Sequence, residues 1–343
     1  MTRGAARPAA SPVYPPRGPH PPRPARPRLR RATALRLLLA LALAAGAGLA
    51  RAGLPRPCDD PPQRSVIEQD RLLRAAAALH ALLQAGDGEV ALVSRSGLEL
   101  ERFGLPTTHA GLALREGLAS PWAVRQLYYG CEAGRPQVFD QGLAAFLLGL
   151  SRGDRGRLHL VWIPGAAGRT LRDAALDRGG ALGLLGGDYS ANAYAWSTRY
   201  QNCNQWVAEL MAQAWGAGAA GAEDSPGRSA PADAAPTTAG RTTPAPARER
   251  AQRWLLQAGY RPAVIEVAFP PVRLLHALVP WLQHDDHPAA ELDHGRLRLS
   301  VPASLEAFVR EHVPGARRVV VCLDGERVER HEGWDDAATA CAR

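Results

Sequence analysis

Tyr200-Gln201-Asn202-Cys203-Asn204-Gln205-Trp206-Val207-Ala208-Glu209-Leu210-Met211-Ala212-Gln213-Ala214-Trp215-Gly216 is the stretch on which the reading of this chain turns. Counted from Cys203, apolar residues fall at i, i+3, i+4, i+7, i+8 and i+11, one face of a helix that Gly216 is placed to stop. Asn202 is a good N-cap, so Cys203 becomes the first helical residue. The unpaired N–H groups and positive dipole end there favour thiolate over thiol, and the thiolate is the nucleophile.

A nucleophilic thiolate needs a base, and histidine suits that role at neutral pH. His109 opens a candidate strand whose same-face neighbours, Gly111 and Ala113, are small enough to let a helix end approach. On the next strand Gln126 shares a face with Val124 and Tyr128 and can orient the imidazole, completing the logic of a triad. The amide of Cys203 and a polar group from Gln201, Tyr200 or Ser197 are candidates for an oxyanion site, and Trp206 with Trp196 and Tyr200 for a substrate groove. The same residues have plainer readings: a helix cysteine and aromatic residues around a helix start more often pack than react. His159, between Leu158 and Leu160, is a rival base. Asp285-Asp286-His287 are adjacent in one segment, a poor way to surround an ion, so neither a metal nor a cofactor is expected.

Around this stretch the chain reads as α+β. Helical spacing marks 68–84, 143–150, 170–177, 249–258 and 304–312. Strand patterns mark 89–94, 109–115, 122–129, 158–163, 263–267 and 296–301, with a terminal hairpin of 319–322 and 326–328 turned by Asp324-Gly325. Residues 216–248 collapse into Ala, Gly, Pro, Ser and Thr and read as a disordered linker between a core of 53–215 and an extension of the same domain, 249–343.

The formal charge of +8 is a local effect, because residues 1–52 hold ten arginines and no acidic residue and the rest is mildly acidic at −2. A nucleic-acid footprint therefore has no support. The basic segment runs into Leu37-Leu38-Leu39-Ala40-Leu41-Ala42-Leu43 and ends in Ala50-Arg51-Ala52, the order of a secretory signal, with cleavage expected after Ala52 and no membrane span afterwards. A periplasmic or secreted protein follows from that reading. Export preserves disulfides, and five cysteines leave at least one unpaired. Cys58, Cys131, Cys322 and Cys341 have enough partners for two bridges, of unassigned connectivity, which would leave Cys203 free.

The strand histidine in Thr108-His109-Ala110-Gly111-Leu112-Ala113-Leu114, the polar residue on the next strand and the later helix-capping cysteine resemble the circularly permuted branch of papain-like thiol hydrolases, which includes NlpC-type cell-wall amidases. More closely, Trp196 to Trp206, Gly259-Tyr260 and Asp285-Asp286-His287-Pro288 resemble the bacterial family known as domain of unknown function 2145, over roughly 58–215 and again from the linker to about 313. That resemblance implies an antiparallel papain-like sheet with the cysteine at a helix N-terminus. It implies no substrate; the wider resemblance to thiol hydrolases implies an amide or ester, with a cell-envelope peptide or a lipid-linked acyl group as the candidate classes. The permuted pattern usually has His, Asn, Asp or Glu where this chain has Gln126, so a papain-like binding or envelope-structural module that does not catalyse stands beside the hydrolase or acyltransferase.

Overall fold

A computed structural model of the chain describes residues 64–97, 100–131, 133–223, 246–267, 279, 281–335 and 341. The signal-peptide reading and most of the linker lie outside them.

Helix α1 (Val66–Ala85) starts two residues earlier than its apolar spacing suggests, because Ser65 and Glu68 form a capping box. Strands β1 (Val90–Arg95), β2 (His109–Leu114), β3 (Ala123–Gly130) and β4 (Arg135–Gln141) follow as a meander. Next come α2 (Leu143–Leu148), β5 (Arg155–Ile163), α3 (Gly165–Leu176) and α4 (Arg178–Gly183). Two short strands, β6 (Asp188–Tyr189) and β7 (Tyr200–Gln201), pair in parallel just before α5 (Cys203–Glu223). Beyond the linker lie α6 (Ala247–Gln257), β8 (Ala263–Glu266), α7 (Ala289–Asp293), β9 (Arg296–Leu299), α8 (Pro302–His312), β10 (Arg317–Asp324) and β11 (Arg327–Glu332).

Seven strands form one antiparallel sheet in the order β11-β10-β5-β1-β2-β3-β4, so the fold is α+β around a large antiparallel sheet. Strand β10 comes from the far side of the linker and lies against β5, which places residues on both sides of the linker in one sheet. Both faces are covered. On one, Leu92, Leu112, Leu127 and Val161 meet α3, α5, α6 and α8; on the other, Val93, Val124, Leu160 and Val321 meet α1 and α2. That explains why β1 and β2 are buried at every position and read as unbroken runs.

Several boundaries differ from the sequence reading: α3 begins at Gly165 rather than 170, and β5 and β10 run longer than their apolar cores. Gly216 does not stop α5, which continues to Glu223; a glycine costs a helix interior only about 1 kcal/mol relative to alanine, and alanines alternate with the glycines here. Arg248, assigned by composition to the linker, is a buried residue of α6. Strand β4 was not anticipated; its alternation is broken by Pro136 and its burial is only partial.

Candidate functional site

Asn202 caps α5: its Oδ1 accepts the backbone N–H of Gln205 at 2.7 Å, which makes Cys203 the first helical residue. The cap is itself held, since Asn202 Nδ2 donates to Ala191 O at 3.3 Å. Asn204 Nδ2 donates to Thr108 O at 3.2 Å, tying the first turn of α5 to the entry of β2.

The sheet opens where the thiol arrives. Strands β2 and β3 pair only from Leu112 to Leu114, whereas β2 stays paired with β1 back to His109. Past the point where β3 parts, the amide of Ala110 faces Cys203 and favours its thiolate, with smaller help from Arg95 and from the amides of Asn204 and Cys203. Burial outweighs them all and pushes the thiol up to about 11. The helix-terminus argument from sequence thus has the right sign and the smaller magnitude.

His109 and Gln126 are brought together. His109 Nε2 lies 2.5 Å from Gln126 Oε1, and Gln126 Nε2 donates to Gln141 Oε1 at 2.6 Å. An amide oxygen accepts only from an N–H, so Nε2 carries the proton and Nδ1 keeps the lone pair. The ring packs against Tyr128 at 4.7 Å and Phe146 of α2 at 6.1 Å between centroids. Burial, then the charge of Arg95, brings the imidazole down to about 3, against the Gln126 bond. Cys203 packs with Ala110 on the α5 side of the sheet, whereas the neighbours of His109 belong to the α2 side, and no hydrogen bond joins thiol to imidazole. Gly111, expected to admit the helix end, instead admits β3: a methyl group there would meet Val124 and Gln126. The resting pair is neutral.

The oxyanion and groove candidates are engaged elsewhere. Gln201 accepts from Gly186 N at 2.8 Å and donates to Leu184 O at 2.9 Å and Glu209 at 2.6 Å. Tyr200 is bound up with Asp285 and Arg199. Ser197 Oγ accepts the Arg199 amide at 3.1 Å, and Trp206 is a core residue donating to Ala181 O at 3.2 Å. Two side chains the sequence reading passed over take their place: Arg95 at the end of β1 and Tyr189 on β6 both interact electrostatically with Cys203. A charge ending the apolar run of β1 was the available signal for Arg95; Tyr189 offered none.

The rival base, His159, lies on the α5 side but is bound by Glu306 of α8, Nδ1 to Oε1 at 2.8 Å. Burial works against the Glu306 charge, yet His159, Ser94 and Arg318 hold its carboxyl below the usual range. Asp286 Oδ2 accepts the Tyr194 amide at 2.9 Å and His287 Nε2 donates to Asn192 O at 2.8 Å, so this pair clamps the loop leading to α5. Among the described residues no group of three His, Cys, Asp or Glu is arranged to hold a metal, and no helix is long and apolar enough to cross a membrane. Cys322 is bridged to Cys341 and Cys131 is also disulfide-bonded, while Cys203 is free.

No curated protein and no solved structure matches this chain. A family model described as an uncharacterized protein conserved in bacteria, domain of unknown function 2145, matches residues 82–309, a span that holds Cys203, His109 and Gln126 and crosses the linker into α8. That match covers well over half of the chain, and the protein belongs to the family of domain of unknown function 2145.

Proposed function

We propose that this protein is an exported thiol-dependent hydrolase or acyltransferase on a permuted papain-like scaffold, acting on an amide or ester of the cell envelope. One observation carries the reading: the free cysteine among the described residues begins a capped helix and meets the amide of Ala110, next in the chain to an imidazole whose tautomer Gln126 sets. Disulfides at Cys131 and at Cys322–Cys341 support an oxidising compartment.

In this reading substrate binding opens the buried pair and brings His109 Nδ1 to the thiol through the gap between β2 and β3. The thiol proton passes to Nδ1 as sulfur bonds to the acyl carbon. The leaving amine or alkoxide takes that proton as its bond to carbon breaks, and water or a second nucleophile then releases the acyl group from sulfur. The amides of Ala110 and Cys203 are the groups available to the developing oxyanion.

A second reading has its own support. The buried neutral thiol, with the imidazole packed on the other side of β2, suits a binding or envelope-structural module that does not catalyse. Mixing the protein with p-nitrophenyl acetate separates the two. The hydrolase reading expects a burst of p-nitrophenolate and an acetyl adduct on Cys203, absent in Cys203→Ala and reduced about 100-fold or more in rate in His109→Ala. No burst and no adduct in the native protein would establish the non-catalytic module.

A further inference from the structure

The hydrogen bond that sets the His109 tautomer does not end at Gln126. His109 Nε2 lies 2.5 Å from Gln126 Oε1, and the other end of the same amide, Nε2, donates to Gln141 Oε1 at 2.6 Å. His109 on β2, Gln126 on β3 and Gln141 at the end of β4 thus form one chain of side chains across three adjacent strands. The register explains the contact, since Gln141 stands opposite Val124, two residues before Gln126 on the same face of β3.

A carboxylate in the middle of this chain would accept whichever way it turned. A carboxamide accepts at one end and donates at the other, so turning it by half a rotation exchanges what His109 meets. Gln126 is fully buried and His109 is 8% exposed, so the orientation is left to protein neighbours. If Gln126 turned alone, its oxygen would face Gln141 Oε1 across 2.6 Å, acceptor against acceptor. If the whole chain reversed, Gln141 would donate to Gln126, Gln126 would donate to Nε2, and the imidazole proton would sit on Nδ1. The place of that proton is therefore coupled to the group that Gln141 presents. Tyr128 and Phe146 touch the imidazole through their rings, a packing that does not distinguish the two tautomers.

We infer that Gln141 is a positioning residue: by offering Gln126 an acceptor, it holds the amide in the orientation that keeps the His109 proton on Nε2 and leaves Nδ1 as the base. It acts on the ring through Gln126. The inference extends the thiol chemistry proposed above, which needs Nδ1 unprotonated, yet the tautomer belongs to the chain whether or not the protein catalyses. Gln141 is half-buried at a strand end, a place where substitution disturbs the core little.

The test is the pattern of ring nitrogen–proton correlations of His109 by NMR, in the full, disulfide-bonded, isotope-labelled protein near pH 7, where burial keeps this imidazole neutral. The signal lost in His109→Leu identifies it among the ten histidines, and thermal melting checks that each variant folds. Wild type should carry the proton on Nε2. Gln141→Glu, which accepts in either orientation, should keep that tautomer. Gln141→Leu leaves one group of Gln126 unmet whichever way the amide turns, so both tautomers should appear. Gln141→Lys, which only donates, should shift the ring towards Nδ1–H and slow the p-nitrophenolate burst about tenfold or more, while Gln141→Glu stays within about twofold of wild type. A wild-type proton on Nδ1 overturns the inference and needs no variant to fold. So does the wild-type tautomer persisting in whichever of Gln141→Leu and Gln141→Lys are folded. The two claims fail separately: no burst in wild type sinks acyl transfer and leaves the tautomer result standing, whereas an intact burst with an unmoved tautomer in the variants sinks only the role of Gln141.

Discussion

Helix α5 carries two buried polar clusters that differ in how completely they are satisfied. Midway along it, Glu209 is fully enclosed, yet its carboxylate accepts Arg248 Nε at 2.9 Å and Nη2 at 3.0 Å, Gln252 at 2.8 Å and Gln201 at 2.6 Å. Arg248 spends its remaining donors on the carbonyls of Ser197, Thr198 and Tyr200. Near the N-terminus of the same helix the thiol and the imidazole are held neutral by burial, and the buried Arg95 guanidinium, which donates to Gly149 O and the Tyr128 hydroxyl, pairs with no carboxylate among the described residues. A fully connected network at low dielectric fixes one geometry and stabilises it, whereas an under-satisfied one persists because something other than stability retains it. The first cluster fastens the segment after the linker to the segment before it. The second is the candidate site.

The contrast can be broken from either end. The largest effect is expected at the satisfied cluster: Arg248→Met leaves the Glu209 carboxylate buried and unpaired, which should cost about 3–5 kcal/mol in urea unfolding at neutral pH. A loss below about 1 kcal/mol would show that the network does not hold the two segments together. The unsatisfied cluster should instead appear in the pH dependence of stability. His109 titrates near 3 when folded and about 6.5 when unfolded, so the unfolded chain binds the extra proton between those values. Its contribution is intact above pH 6.5 and is lost on acidification by about 1.4 kcal/mol per unit. His109→Leu should flatten that slope by as much. Cys203, raised to about 11, works at the opposite end: stability is lost as pH climbs from about 9 to 11, and Cys203→Ala should remove that loss.

A smaller effect tests the support beneath the thiol. Asn202→Ala removes the cap from α5 and should lower stability by about 1 kcal/mol, while Asn202→Asp, which keeps an acceptor, should retain most of it. The smallest change is expected at Arg95, where Arg95→Met should move unfolding by no more than about 1 kcal/mol, because the charge it deletes was never compensated in the folded state. A loss as large as that of Arg248→Met would erase the difference between the clusters and make Arg95 structural.

The family, the α+β class with its antiparallel sheet, the capped helix at Cys203 and the strand beginning at His109 all follow from local rules. Apolar spacing identifies α5 and α8, an apolar run identifies β1, and Asn202 announces the helix start because a cap bonds only three residues ahead. Distance along the chain limits what such rules reach. That β10 pairs with β5, that Arg248 belongs to α6 and closes on Glu209, and that Gln201 and Trp206 point into structure rather than towards a substrate depend on contacts between segments tens of residues apart. Charge balance at the site is likewise tertiary. A helix N-terminus favours a thiolate wherever it occurs, but burial depends on everything packed around it, and here burial is the larger influence. Sequence by itself singled out Cys203, His109 and Gln126 as candidates; the packing of β2, β3, α2 and α5 decided that the thiol and the imidazole lie neutral on opposite sides of β2, because each is buried among different neighbours.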